Sequence, residues 1–308
     1  MYYHCTTAHY GLRRRSSYHM VGPLVPWATP HVIIKTAANS QHYSEANNKE
    51  YKMCCFGGVD NSKLTRDELL ETIKGTAFAD QQLSILDAKD EQKTMHVFAE
   101  SFLNDPLMKW VGGLDGVSSS DEKKKELQYK FNKTMMAWVN RPILVSKKGV
   151  VVGVTASDGS LAGAVSVMPG QSKTDTCMDY VNGIIFAGIP PIYTGDKMSY
   201  AHGADKRCES LDVLGKKRKE LMKDADLNYV YIQTIGVLSS YQGQGLGGKL
   251  LKSILNAADS LNIPSYLETE SKENEALYQH LGFSTLEVFE VAPNGSTNKL
   301  PMYLMRRK

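Results

Sequence analysis

Long apolar runs are missing from this 308-residue chain: no stretch of about 18 apolar residues occurs, which argues against a membrane-spanning helix. The longest apolar segment, 181–192, is broken by Pro190-Pro191. Cysteine is scarce and unpatterned. Cys5, Cys54, Cys55, Cys177 and Cys208 form no C-x-x-C pair and have no histidine at ligand spacing, so a structural zinc is not expected. An odd number of thiols with no clear secretory signal fits a reducing compartment. An excess of one charge is missing too. Behind the net +3, residues 1–52 carry +4, with six basic side chains against Glu45 and Glu50. The remaining 30 basic and 31 acidic residues nearly cancel, leaving no electrostatic footprint for nucleic acid. Lys123-Lys124-Lys125 and Lys216-Lys217-Arg218-Lys219 stand beside acids in helix-like segments and read as solvated faces.

The first 80 residues differ from the rest. Five of the eight histidines precede Met53, Arg13-Arg14-Arg15 leads into Ser16-Ser17, and Glu45 is the first acid. An Arg- and Ser-rich, acid-poor segment is what an organelle transit peptide shows. A disordered tail, or a true start at Met53, fits equally. The expectation is a tail over 1–80 and one domain over 81–308. The location is then cytoplasmic, or an organelle if residues 1–52 are a transit peptide.

From Leu83 the pattern is regular. Residues 84–86 read as a short strand, and 94–111 as a helix bent or ended at Pro106. A second helix spans 122–139, closed by Asn140-Arg141-Pro142. Strands 150–155 and 161–167 flank Ser157-Asp158-Gly159-Ser160, a hairpin signal. The long helix-rich stretch 170–227 is expected to be an insertion, a candidate lid over an acceptor. Strand 229–237, a glycine turn, a leucine-rich helix, strand 265–269, helix 273–281 and strands 285–291 and 301–305 complete the chain.

The decisive segment is Val237-Leu238-Ser239-Ser240-Tyr241-Gln242-Gly243-Gln244-Gly245-Leu246-Gly247-Gly248-Lys249. Glycines between a strand and a helix let backbone N–H groups crowd around a phosphate at the helix start, where the dipole favours negative charge. Gly243 to Gly248 satisfies G-x-G-x-x-G, with Glu268 20 residues on. It nearly satisfies the P-loop as well, but Leu250 replaces the magnesium-binding Ser/Thr. Both readings fail on context: the first glycine lies too far beyond Val237, and too little chain follows Glu268 for a doubly wound sheet.

A third pattern, Gln-x-x-Gly-x-Gly at Gln242, Gly245 and Gly247 after Ile235-Gly236-Val237, resembles the pyrophosphate loop of the GCN5-related N-acetyltransferase (GNAT) superfamily. Asn274, Leu277-Tyr278 and Gly282-Phe283 are similar to its second signature block. Ser101-Phe102 with Asp105-Pro106 and Trp110, and the ending 301–306, are similar to its small-molecule branch. The resemblance implies an α/β fold with a central mixed, mostly antiparallel sheet, splayed at the acetyl-CoA site and flanked by helices. It implies acetyl-CoA as co-substrate, no metal, and acetyl transfer by direct attack of an amine. By the same resemblance, the backbone of Ile235 and Val237 binds the pantetheine arm, and the Val237 amide polarises the acetyl carbonyl. The amides of Gln242, Gly243, Gln244, Gly245, Gly247 and Gly248 cradle the pyrophosphate. Tyr278 sits where the family often keeps a tyrosine near the sulfur, as proton donor to the thiolate. Glu268 is the first candidate for general base and Glu270 the second. Asn274 either contacts the co-substrate or caps the short helix. His202 and His280 read as structural. The acceptor is expected to be a small-molecule amine, with no nucleic acid or membrane as partner. A protein lysine or N-terminal acetyltransferase and a non-catalytic acetyl-CoA sensor are the alternatives.

Overall fold

Runs of valine, alanine and glycine build the first strands, β1 (Leu83–Leu86), β2 (Val150–Thr155) and β3 (Leu161–Pro169). With β6 (Val230–Val237), β7 (Ser265–Thr269), β8 (Ser284–Val291) and β9 (Leu300–Arg307) they form a seven-stranded sheet in the order β1-β2-β3-β6-β7-β9-β8. Of its neighbouring pairs, β6–β7 alone is parallel. The computed structural model describes residues 63–77, 81–112, 120–174, 176–188, 192–194, 197–199, 203–292 and 299–308. A separate two-stranded hairpin, β4 (Ile192–Thr194) with β5 (Lys197–Ser199), lies in the 170–227 insertion between α5 (Cys177–Ala187) and α6 (Gly203–Leu221).

Both faces of the sheet are covered, so its central strands are apolar on both sides. On one face pack α2 (Glu91–Ser101), α3 (Pro106–Gly112) and α4 (Asp121–Leu144), with Phe98, Val111, Phe131 and Met136 buried and Leu214 of α6 joining them. On the other face lies α7 (Leu246–Ser260), whose Leu250, Leu251, Ile254 and Leu255 recur at helical spacing and are all buried. Burying each such side chain contributes roughly 1.5–3 kcal/mol.

Three expectations shift. A helix, α1 (Arg66–Ala77), lies within the segment expected to be a tail, and its Leu69 and Ile73 are fully buried against the α7 side. The folded chain therefore starts upstream of residue 81. The bent helix over 94–111 is two helices, because Asp105-Pro106 opens α3 afresh. Helix α4 runs on through Pro142. Proline removes one N–H, yet the Val145 N–H still reaches the Arg141 carbonyl at 2.8 Å, so the last turn closes. Residues 1–62, with the whole basic segment, lie outside the described residues.

Candidate active site

The parallel strands β6 and β7 touch only at their beginnings. Val230 faces Ser265 and Tyr231 faces Tyr266; beyond these pairs β6 continues to Val237 and β7 to Thr269 without pairing. A bulge accompanies the divergence. Ser166 of β3 faces Thr234 while Val167 faces Ile232, which leaves Gln233 as the extra residue. The Leu238 N–H bonds the Ala162 carbonyl at 2.9 Å. Antiparallel alternation then turns the N–H groups of Ile235 and Val237 away from β3, into the gap. The sheet thus holds an internal strand edge, open to pairing with an extended amide-bearing ligand. At Gly236 the end of α2 comes so close that an added Cβ would lie 2.8 Å from the Ser101 Cβ.

Next comes the glycine turn. Ser239–Tyr241 make one 3-10 turn, Gly243 and Gly245 take φ of +78° and +76°, and Gly245 is the N-cap of α7. No side chain caps that helix, and its first intrahelical bond at this end is Lys249 N–H to the Gly245 carbonyl, 3.0 Å. The N–H groups of the first helical turn before Lys249, those of Leu246, Gly247 and Gly248, are therefore open to a ligand, whereas the Gln242 N–H bonds the Ser239 carbonyl at 3.4 Å. The two turn glycines are explained by their left-handed backbone. Gly247 and Gly248 are not: an added Cβ would meet only Val237 Cγ2 at 3.6 Å in the first case and nothing within 4 Å in the second. Glycine in a helix costs roughly 0.5–1 kcal/mol relative to alanine, and no packing inside the protein requires it here. The open space lies in front of the free amides at the helix start, where it leaves room for an anionic group. The turn is tied down by Tyr241, whose hydroxyl donates to Asp158 at 2.6 Å, and by Gln242, whose side-chain amide donates to the Val237 carbonyl at 3.2 Å. Gln244 is exposed.

Just past β7 stands a pair of carboxyl groups. Asp105 caps α3, accepting the Met108 N–H at 2.8 Å, and its carboxyl stands next to that of Glu270. Burial raises both above the usual carboxylate range; for Glu270 the charge of Asp105 adds to it. Two such groups cannot both ionise cheaply, so the pair holds a proton between them. Glu270 Oε1 is buried and has no hydrogen-bond partner among the described residues. Tyr278, on α8 (Lys272–His280), lies within the field of this pair. Burial first, then the charges of Glu270 and Asp105, push its phenol above its ordinary value. Its ring packs edge-on against Phe283 at 5.9 Å.

Glu268 is placed differently. Its carboxylate accepts the Tyr231 hydroxyl at 3.0 Å and faces Arg218 of α6 at 3.5 Å, while the guanidinium stacks 3.9 Å from the Tyr231 ring. A carboxylate so engaged has its oxygens turned toward Tyr231 and Arg218. Of the two glutamates at this strand end, Glu268 faces Tyr231 and Arg218, whereas Glu270 faces Asp105. The Asp-Pro helix start marked Asp105 in the sequence, but nothing local showed that it meets Glu270. Asn274 does not cap α8: Ser271 does, accepting the Asn274 N–H at 3.2 Å. The Asn274 side chain is half-buried. His280 bonds the Ala276 carbonyl at 2.7 Å, a local structural role, and His202 lies outside the described residues. Among the described residues no group of three or more His, Cys, Asp or Glu could hold a metal, and no helix is long and apolar enough to cross a membrane.

Comparison with known proteins bears on this geometry. The model of the acetyltransferase (GNAT) family matches residues 213–283, the stretch holding the open strand, the turn, Glu270 and Tyr278. An uncharacterized N-acetyltransferase of Schizosaccharomyces pombe is 25% identical over 227 residues, 72% of this chain and 81% of that one. Among solved structures, arylalkylamine N-acetyltransferase 2 of Aedes aegypti is 15% identical, covering 73% of this chain and 97% of its own, with a TM-score of 0.47. A Corynebacterium glutamicum protein described as a histone acetyltransferase and related acetyltransferase is 17% identical, at 73% and 94% coverage, with a TM-score of 0.41.

Proposed function

The chain belongs to the GNAT family of acetyltransferases and is an acyltransferase; on that premise we propose that it acetylates the amine of a small molecule, with Glu270 and Asp105 as its proton acceptor. Acetyl-CoA supplies the activated acyl group. The free N–H groups of Ile235 and Val237 hold the pantetheine amides, that of Val237 also polarises the acyl carbonyl, and the turn from Gln242 to Gly248 holds the pyrophosphate.

Most amines arrive protonated and attack only when neutral. A carboxyl pair whose ionisation is delayed by burial matches that task, because its proton affinity lies nearer that of an amine. The proton taken from the amine rests on the Asp105–Glu270 pair. Tyr278 passes its O–H proton to the leaving thiolate and takes in exchange the second proton that the nitrogen sheds as the amide forms, so the phenol ends the cycle protonated, as its raised pKa favours. The observation that carries this reading is the buried carboxyl pair beside Tyr278 at the end of the open strand edge. Its burial also favours a small acceptor over the surface of a folded protein.

Release of CoA thiol across a panel of small amines, lysine peptides and N-terminal peptides tests the proposal. Turnover with small primary amines is expected. Turnover confined to peptides would overturn the choice of acceptor, and acetyl-CoA binding without any turnover would favour the sensor.

A further inference from the structure

A cavity of about 760 Å³ opens at the reacting end of the free strand edge, a volume within the range of about 300–1,000 Å³ that small-molecule sites take. Three contacts fix its place. Ser101, in its wall, is the residue that closes on Gly236, between the Ile235 and Val237 amides. Gln242, also in the wall, donates its side-chain amide to the Val237 carbonyl at 3.2 Å. Asn104 and Lys109 line the cavity from either side of Asp105 in the chain, and the Lys109 ammonium donates to the Asn104 side-chain oxygen at 3.2 Å. The walls are polar. Among the described residues that line it, Leu103 alone is apolar. Lys109, Lys124 and Lys125 bring three ammonium groups, and Glu100 and Asp121 two carboxylates. Lys124 and Lys125 stand near the start of α4, in the cluster that the sequence presents as a solvated face.

We propose that the acceptor is an amine that also carries an anionic head, a carboxylate or a phosphate, and that Lys124 and Lys125 hold that head. This deepens the reading that the chain acetylates small amines, and rests on it. The mixed sign of the wall decides between acceptor classes. An aromatic amine brings a ring that buries roughly 150–250 Å², and one leucine gives it little to pack on. A diamine brings a second ammonium toward three lysines, where like charges repel. An amine with an anionic head meets both signs. Its head faces the lysines of α4, of which Asp121 offsets one. Its ammonium faces the acidic side, where Glu100 ends α2 and Asp105 opens α3. Lysine suits the head, because a point charge on a flexible stem follows an anion without demanding one geometry.

CoA release by the full chain, measured as kcat/KM, tests the assignment on matched acceptors. One series takes ω-amino carboxylates of rising length, each beside its primary amide and the diamine of equal length. The other takes aminoalkyl phosphates beside the parent amino alcohols, and the series with the larger preference names the head. The wild-type protein is expected to use the anionic member at least about tenfold better than its neutral partner, and the diamine least, with the preference shrinking as salt rises. In a Lys124→Gln/Lys125→Gln variant the ratio should fall to near one. Lys124→Glu/Lys125→Glu should reverse it in favour of the diamine, and Lys124→Arg/Lys125→Arg should keep it. Turnover of small amines with no anionic preference, or with the neutral or dicationic member favoured, would overturn this inference and leave the acetylation of small amines standing. A preference that survives the glutamine variant would take the head away from these lysines and overturn it too. Turnover of none of the small amines would overturn the underlying reading, and this inference with it.

Discussion

Glu270→Gln separates catalysis from stability, because the two should move in opposite directions. The substitution keeps the length and shape of the side chain and removes its ability to take a proton. Burial and the neighbouring Asp105 push the Glu270 carboxyl up to about 8, from an ordinary 4.5. As a base it works only when ionised, so wild-type kcat/KM should climb with pH until about 8 and then level. Losing a positioned base costs typically 10²–10⁴-fold, or about 3–5 kcal/mol of transition-state stabilisation. The variant should therefore be slower by that factor at pH 9, with the limb assigned to Glu270 gone. Stability has the opposite sign. The folded carboxyl binds its proton more tightly than the unfolded one, so the folded state is favoured below pH 4.5 and loses that advantage as pH rises through about 8. Glutamine has no such penalty, and its amide can donate to Asp105. The variant should melt at a higher temperature than wild type at pH 9 and at nearly the same temperature at pH 4. Steady-state rates from pH 6 to 9.5, beside melting curves at both extremes, measure both effects. A variant that melts higher yet turns over like wild type would show the pair to be structural and refute its role as base.

Tyr278→Phe keeps the edge-on contact with Phe283 and removes only the O–H. Single-turnover rate should fall by roughly 10²-fold or more while the stability change stays near 1 kcal/mol; an unchanged single-turnover rate in a folded variant would leave proton delivery to water. Gly248→Val adds a side chain where nothing lies within 4 Å. The fold should survive and acetyl-CoA affinity should fall at least about tenfold, as read by calorimetry; full affinity in a folded variant would remove the phosphate from that space.

Legibility followed locality. The glycine turn, the strand before it and the helix after it are contiguous, so their chemistry stood in the order of the letters. The leucine spacing of α7 and the Asp-Gly hairpin at 158–159 were readable for the same reason. What escaped depended on tertiary partners. Helix α1 has a weak apolar pattern, and only its seat against α7 shows why Leu69 and Ile73 are there. Glu268 and Glu270 are two residues apart and alike in the sequence. Arg218 from α6 fixes one and Asp105 from the start of α3 fixes the other. No spacing rule connects residues 105 and 270, so the two glutamates could be told apart only in three dimensions.

The short parallel contact has a consequence for how the molecule moves. Among the described residues, Val230–Ser265 and Tyr231–Tyr266 are the only register pairs between β1-β2-β3-β6 and β7-β9-β8, so the sheet is two half-sheets joined by a narrow hinge. Such a seam is the natural place for partial opening, since few hydrogen bonds oppose it. A ligand that pairs with the free edge of β6 acts as an eighth strand and takes up amides that water otherwise serves. Ligand release is then a loosening of the sheet, with slow hydrogen exchange at Ile235 and Val237 when the seam is filled and fast exchange there when it is empty.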